Sequence, residues 1–256
     1  MAMGLRPLEL SKWLEVDQRR EEELALKTRL IKEQRDAVVA TRPDGDEASE
    51  ELLAELLTFL RDHHPALARD VSAGEHPVVA ASRLIQEDLC VLTRVDTWRL
   101  QAACVCFPSR WNLASKIGTT LDDIHRPVPL YEDELAQPTN SFFERLGPDR
   151  SFWRLNWTLL DNAELYQPTA IRRSPRGGRD DWFFRVERQT VRQLPQTNAV
   201  VFTIRTYVAS LGSMMDDQPE FGEHLVRAIE QAPETVQDYK GWRGVALQLR
   251  RALTSP

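Results

Sequence analysis

The sequence predicts an α+β fold that combines one antiparallel sheet with several helices. Three observations predict it. Apolar residues recur at the helical period through the first third of the chain, and at Leu89 the period changes to two residues. Three further alternating segments follow a helical stretch in the middle of the chain, and the helical pattern then returns.

The first third is predicted to form a lobe of helices. Residues 11–40 are rich in Leu, Glu, Lys and Arg and contain neither Gly nor Pro, which favours one largely exposed helix. An apolar stripe over residues 52–60 predicts a second helix that stops at Pro65. A third helix is expected to start at Pro77 and to reach Glu87.

A β-hairpin is predicted to follow the lobe. Residues 89–93 alternate as its first strand and residues 98–106 as its second. Alternation in the second strand places five side chains on one face, namely Trp98, Leu100, Ala102, Cys104 and Cys106.

Helical signals return between this hairpin and the next strand. Two helices are expected there, over residues 109–118 and 131–146. Between them, Thr120 and Asp123 resemble a short capping box just before His125. We therefore predict a helical crossover between the second and third strands.

Three more strands and a set of closing helices complete the predicted fold. The strand patterns cover residues 152–160, 182–191 and 199–208. Amphipathic patterns around residues 225–229 and 245–253 predict the closing helices. The loop after the first of these strands carries a charge run that is typical of flexible surface, with Arg172, Arg173, Arg176 and Arg179.

The order of the elements matches the PAS-type arrangement, in which a five-stranded antiparallel sheet and its crossover helices enclose a pocket. We therefore predict a single domain over residues 1–256. Within it, residues 1–87 form the helical lobe, residues 88–210 the PAS-like core and residues 211–256 the closing helices.

Composition narrows the class of partner and the compartment. With 33 Lys and Arg residues against 39 Asp and Glu residues, the formal net charge is −6, so no positive field attracts nucleic acid or an anionic membrane. The three cysteines are too few for a disulfide framework or an iron–sulfur cluster, which favours a reducing compartment. The start lacks the apolar run of a signal peptide, and no segment has the roughly 20 apolar residues of a membrane span. We expect a cytoplasmic protein.

Six strings of uncommon residues carry a resemblance to a known family. They are QEDLCVL at 86–92, CFPSRW at 106–111, IHRPVP at 124–129, RLNWTLLD at 154–161, RVERQTVRQLP at 185–195 and FTIRTY at 202–207. In this order they resemble the haem-dependent oxidative N-demethylase, or dimethylamine monooxygenase, alpha-subunit-like family, over nearly the whole chain.

The resemblance implies a PAS-fold subunit that binds haem b, activates O2 and removes a methyl group from a small secondary amine such as dimethylamine, with release of formaldehyde. It also implies that electrons come from NADPH through a separate flavin and iron–sulfur reductase. The chain has neither a Gly-rich dinucleotide fingerprint nor a cysteine cluster, so such an enzyme needs a partner subunit.

Among the five histidines, His125 is the candidate iron ligand. Haem ligation needs a neutral imidazole or a thiolate on a fixed segment with apolar walls. His125 alone lies in the crossover, where Pro127 and Pro129 restrain the backbone and where PAS-type sensors place their ligand. The alternative is a histidine that packs or hydrogen-bonds in a turn.

Four arginines inside the family-like strings are candidates for contacts with the haem propionates, because Arg makes charge-assisted and often bidentate bonds to carboxylates. They are Arg110, Arg126, Arg188 and Arg205. The alternative for each is a solvated position on a strand or helix.

Glu187 is the candidate for pairing with the ammonium group of a bound amine, because a charge in a closed pocket requires a compensating group. The alternative is a cross-strand ion pair with Arg185 or Arg205.

Three functions remain open at this point. The first is a monooxygenase subunit that acts on a methylated amine, in which case the basic loop is a candidate docking site for the reductase. The second is a haem-binding PAS-type sensor of gas or redox state. The third is a non-catalytic interaction module without haem.

Overall fold

The computed structural model describes residues 3–68, 71, 74–169 and 177–254 and has an α+β fold. Its strands are β1 Arg6–Leu8, β2 Val39–Thr41, β3 Asp88–Arg94, β4 Trp98–Cys104, β5 Ser151–Leu160, β6 Phe183–Gln193 and β7 Val200–Ser210. They form one antiparallel sheet in the order β1-β5-β6-β7-β3-β4-β2.

The sheet has seven strands, so the prediction of five strands was wrong in number. The five predicted strands are its five long strands, β3 to β7. The two others are three-residue strands at the two edges of the sheet, where β1 pairs with the start of β5 and β2 with the end of β4. Three residues are too few to show an alternating pattern, so sequence periodicity could not reveal them.

The α-helices of the described residues are α1 Arg20–Glu33, α2 Arg35–Val38, α3 Asp46–His63, α4 Pro77–Ser82, α5 Leu121–His125, α6 Ala136–Glu144, α7 Leu211–Asp217, α8 Phe221–Gln231, α9 Glu234–Lys240 and α10 Val245–Thr254. One π-helical turn, Tyr131–Leu135, precedes α6. The helix predicted to end at Pro65 and both closing helices are confirmed, as α3, α8 and α10.

The first helix begins at Arg20 and not near Ser11, and it is not largely exposed. It buries five side chains, namely Glu23, Leu24, Lys27, Leu30 and Ile31. The segment before it runs along the sheet, where the carboxylates of Glu15 and Asp17 meet basic side chains. Glu23 and Lys27, whose charges indicated solvent exposure, are therefore buried, and the half-buried Glu15 and Asp17 are paired. The helix that starts at Pro77 also ends early, at Ser82.

The crossover contains less helix than predicted. Of the helix expected over residues 109–118, only Leu113–Ser115 is helical, as one 3-10 turn. Gly118 has a φ of +75°, which is the left-handed conformation that favours glycine. Thr120 caps α5 as predicted, because its side chain accepts a hydrogen bond from the backbone N–H of Asp123 at 3.1 Å.

Side chains of the sheet alternate between two faces that pack against different parts of the chain. Phe152 and Val191 pack with crossover residues such as Phe143, and we call this side the crossover face. Val201 packs with lobe residues such as Leu56, and we call the opposite side the lobe face. The closing helices cover the far end of the lobe face, where Trp157 and Phe184 belong to a third apolar cluster with α8 and α10.

A β-bulge divides the side chains of β4 between the two faces. Gln101 is an extra residue that has no partner in β3, so the alternation shifts by one position. Leu100 packs with the crossover, whereas Ala102, Cys104 and Cys106 pack with the lobe. The prediction of one shared face for the side chains of this strand was therefore wrong.

Of the basic loop, only Arg179 lies in the described part of the chain, where its guanidinium is 2.9 Å from Asp216 Oδ1. Arg172, Arg173 and Arg176 lie outside the described residues. Every helix within the described ranges is too short or too polar to cross a lipid bilayer.

Candidate functional site

His125 is the last residue of α5, in the crossover. Its Nδ1 lies 2.8 Å from the carbonyl oxygen of Leu121. A carbonyl oxygen can only accept, so Nδ1 carries the hydrogen and Nε2 presents the lone pair of the neutral ring. Nε2 has no hydrogen-bond partner among the described residues. This half-buried imidazole is therefore oriented by its backbone and keeps one nitrogen for a ligand.

The surroundings of His125 favour its neutral form. Burial lowers the pKa of the imidazole, and the positive charges of Arg154 and Lys116 lower it further, against the hydrogen bond to Leu121. The ring also stacks on Tyr131, with the centroids 5.0 Å apart and the planes 17° from parallel. A neutral imidazole with an unused nitrogen is the form that ligates iron.

Tyr131 is itself held in place by the crossover. Its hydroxyl donates to Asp122 Oδ1 at 2.9 Å, and the amide of Asn140 donates to the same oxygen at 3.1 Å. Burial raises the pKa of Tyr131, so the phenol stays protonated and remains a donor. These bonds join α5 to the π-helical turn and to α6, close to the His125 ring.

Four polar side chains form a network on the crossover face of β5 and β6. Arg154 Nε donates to Gln189 Oε1 at 2.7 Å, and Gln189 Nε2 donates to Glu187 Oε2 at 3.0 Å. Asn156 Nδ2 donates to the same carboxylate oxygen at 3.2 Å. Arg154 is paired with Gln189, and Asn156 with Glu187, in the strand register, so the network consists of directly opposed neighbours. We call these four residues the polar network.

Glu187 is only 7% exposed, and its two carboxylate oxygens differ in their surroundings. Oε2 accepts the two bonds from the polar network, whereas Oε1 lies 3.7 Å from the Nε of Arg185. That separation is an ion pair but too long for a hydrogen bond. The alternative pairing of Glu187 with Arg185 is thus present in the structure, and Oε1 retains capacity to accept a hydrogen bond.

Arg185 joins the polar network to the start of the crossover. Its guanidinium is fully buried and donates to the carbonyl of Leu165 at 3.1 Å and to the carbonyl of Phe107. Burial lowers the pKa of Arg185, while the negative charges of Glu187 and Asp88 oppose this. Arg185 therefore crosslinks two chain segments beside the site.

Two of the four predicted arginines lie in the crossover, and both have acidic partners. Arg110 Nη2 lies 3.1 Å from Asp161 Oδ1, and its Nε donates to Gln167 at 3.4 Å. Arg126 follows His125 directly, but 68% of its side chain is exposed and it pairs with Asp123. The alternative of a solvated position therefore describes Arg126, whereas Arg110 fastens the crossover to the end of β5.

The other two predicted arginines lie on the lobe face. Arg188 Nε is 3.0 Å from Glu15 Oε1. Arg205 is fully buried, with Asp17 Oδ2 at 2.6 Å and Glu23 Oε2 at 2.8 Å from its two terminal nitrogens. Because successive side chains of a strand point to opposite faces, Arg188 and Glu187 are on opposite sides of the sheet. The structure does not bring these two arginines together with His125.

Arg154, which belongs to the polar network, was not among the candidate residues predicted from the sequence. It stands two residues after Phe152 and two before Asn156, so the alternation of the predicted strand already placed these side chains on one face. Which face they share, and that Gln189 and Glu187 lie opposite, depends on strand pairing that the sequence does not reveal.

Two cavities open elsewhere on the molecule. One of about 410 Å³ lies on the lobe face and is lined by residues such as Lys12, Trp153 and Arg188. Another of about 300 Å³ is lined by residues such as Arg94 and Phe143. Neither is lined by His125. The described residues also contain no group of three or more His, Cys, Asp or Glu side chains that could hold a bare metal ion.

A family model provides the comparison with known proteins. The model described as haem-dependent oxidative N-demethylase, alpha subunit-like, matches residues 4–249. The match contains all seven strands, His125 and the polar network.

Proposed function

We propose, because this chain belongs to the haem-dependent oxidative N-demethylase, alpha subunit-like family, that it binds haem b and oxidatively demethylates a small secondary amine such as dimethylamine. The family description indicates haem dependence and a multi-subunit enzyme. For the partner subunit we propose a flavin and iron–sulfur reductase that takes electrons from NADPH.

The observation that carries this proposal is the state of His125. Its Nδ1–H is bound to a backbone carbonyl, its pKa is lowered by burial, and its Nε2 is unused within the described residues. This is the donor that a haem iron needs from a protein, and a single imidazole suffices because the porphyrin supplies the other nitrogens. Apolar residues on the same side of the sheet, Leu121 and Phe143 among them, form a buried cluster in the crossover, which supports an apolar setting for the cofactor.

The reaction balances with one molecule of O2 and two electrons. Dimethylamine, O2, two protons and two electrons give methylamine, formaldehyde and water. Haem supplies the O2 activation that no amino-acid side chain can perform. In this chain, His125 would hold the iron and Glu187 would bind the amine.

We propose that Glu187 Oε1 accepts the N–H of the amine. The oxygen is buried and lies beyond hydrogen-bond distance of Arg185. Asn156 and Gln189 hold the other oxygen, so the carboxylate has a defined direction. The neighbouring charges of Arg185 and Arg154 favour an amine that binds uncharged, because an added ammonium would face two cations.

The PAS-like part of the proposal is supported by the arrangement of the five long strands. β5, β6, β7, β3 and β4 are consecutive neighbours in the sheet, and the crossover between β4 and β5 covers one of its faces. His125 lies in that crossover.

The proposal is tested by loading the purified chain with haem and supplying dimethylamine, O2 and a ferredoxin-type electron donor. We expect a Soret band, together with formaldehyde formation that requires haem, O2 and amine. Glu187→Gln should raise the KM for the amine and leave the Soret band unchanged, whereas the exposed control Glu132→Gln should change neither. A Soret band without formaldehyde would favour the sensor, and the absence of haem binding would favour the interaction module.

A further inference from the structure

Arg154 has only neutral hydrogen-bond partners within the described residues. Its Nε donates to the amide oxygen of Gln189 at 2.7 Å, and its Nη1 donates to the backbone carbonyl of Met3 at 3.3 Å. No carboxylate of the described residues forms an ion pair with it. By contrast, Arg110 and Arg185 on the same side of the molecule pair with Asp161 and Glu187 respectively.

The environment of Arg154 disfavours an unpaired positive charge. Burial lowers the pKa of its guanidinium, and the more distant charge of Glu187 opposes this only in part. Charged groups removed from water are normally paired, because their lost hydration must be replaced. A half-buried guanidinium with neutral partners is therefore prepared for an anion that the chain itself does not provide.

A continuous set of contacts connects this guanidinium to the His125 ring. His125 stacks on Tyr131, and the Tyr131 hydroxyl lies beside Thr139. The Thr139 hydroxyl contacts the sulfur of Met3 at 3.5 Å, and the Met3 carbonyl accepts the bond from Arg154. Consistent with this proximity, the charge of Arg154 acts on the imidazole of His125.

We propose that Arg154 binds a propionate carboxylate of the haem that His125 holds. This inference rests on the proposed function, because it requires haem at the crossover face. A propionate is the anion that a haem brings with it, and a guanidinium binds a carboxylate by charge-assisted hydrogen bonds. Gln189 holds the Nε side of the guanidinium, and the network thereby orients the cation before haem arrives.

The test compares haem with its dimethyl ester, in which both propionates are uncharged. Binding is measured by titration of the Soret band and by quenching of Trp fluorescence, so no enzymatic activity is needed. We expect the unmodified chain to bind haem roughly ten- to a hundredfold more tightly than the ester. Arg154→Gln should bind both at the level of the ester, and Arg154→Lys should recover part of the preference.

Matched controls separate a binding role from a structural one. Arg126→Gln, at an exposed arginine next to His125 in the crossover, should keep the full preference for haem over the ester. Because Arg154 has no carboxylate partner in the described chain, Arg154→Gln should change the Tm of the haem-free protein by no more than about 2 °C. A large loss of Tm in the haem-free variant would assign Arg154 a structural role and overturn the proposal.

Two further outcomes also overturn it. One is an Arg154→Gln variant that retains the preference for haem, and the other is an unmodified chain that binds haem and ester equally. Either result leaves haem binding at His125 intact. Failure of the unmodified chain to bind any haem would instead remove the proposed function, and this inference with it.

Discussion

His125 and His76 differ in how many of their ring nitrogens are already in use. His76 caps α4 through Nδ1, which accepts from the N–H of Val78 at 3.2 Å, and its Nε2 lies 3.1 Å from Asp46 Oδ1. His125 uses Nδ1 alone within the described chain. At the scale of the residue, a histidine can therefore bind iron only if one of its ring nitrogens has no partner within the protein.

His125→Ala tests this directly. We expect the variant to keep its far-ultraviolet circular dichroism, because His125 ends a helix of only five residues. Its Soret band should shift and its haem should become exchangeable, since the variant lacks the ligand that we propose for the iron. Added imidazole should restore the band in part.

The control for His125→Ala is His224→Ala, because His224 is exposed on α8. This variant should have the spectrum of the unmodified chain. His76→Ala should also retain that spectrum but lose about 1 kcal/mol of stability with the helix cap. If His125→Ala has an unchanged spectrum and His76→Ala loses its haem, the assignment of the ligand is wrong.

Asp88 offers a residue-level prediction about pH. Its carboxylate accepts hydrogen bonds from the N–H groups of Cys106 and Phe107, both at 2.8 Å, and Lys27 Nζ lies 4.0 Å away. Burial nevertheless raises the pKa of Asp88 to about 6. The folded protein thus holds this proton more tightly than the unfolded chain, and the contribution to stability falls as pH rises from about 4 through 6.

We expect Asp88→Asn to reveal that contribution in urea unfolding. The free energy of unfolding of the unmodified chain, relative to the variant, should be up to about 3 kcal/mol greater at pH 4 than at pH 7. Carboxylates with a lowered pKa, such as those of Asp17 and Glu75, make the folded state more stable as pH rises. Both proteins contain them, so their effect cancels in the difference between the two proteins. A difference that does not change with pH would contradict the raised pKa.

At the scale of the element, the alternation of side chains along β6 places different polar groups on the two faces of the sheet. Its crossover face carries Arg185, Glu187 and Gln189, and its lobe face carries Arg188. The positions of the long strands and the cap of α5 could be predicted because they depend on neighbours in sequence. The partners of Arg188 could not be predicted, because they come from a segment 176 residues earlier in the chain.

Arg205→Met tests the division between the two faces. Removal of a fully buried guanidinium takes away the nearest cation of both Asp17 and Glu23 and should cost about 3–5 kcal/mol in urea unfolding. At low temperature, the folded fraction should still bind haem with an unchanged Soret band. Arg126→Met, at an exposed site, should change neither quantity. Unchanged stability with loss of haem would instead support the original prediction that Arg205 contacts a propionate.

At the scale of the whole molecule, the charge of a single residue does not show whether its side chain is exposed or buried. The net charge of −6 correctly indicates an acidic chain, but it hides how many charges are internal. Glu23 and Lys27 are almost completely buried in a helix that looks solvent-exposed in the sequence. Their partners come from distant strands and turns, so composition and helical period cannot place them.

The pairing of Asp17 with Arg205 joins residues 188 positions apart, and this has a consequence for a chain that is still being translated. Glu15, Asp17 and Glu23 leave the ribosome long before β6 and β7, which carry their basic partners. Until then, water and nearby groups such as the Gln86 amide stabilise those carboxylates, and the lobe still lacks the central strands β6 and β7. The N-terminal segment is thus synthesised first, but it can complete its ion pairs with the sheet only after β7 has emerged. The packing of the first part of the chain therefore depends on the last central strand to be synthesised.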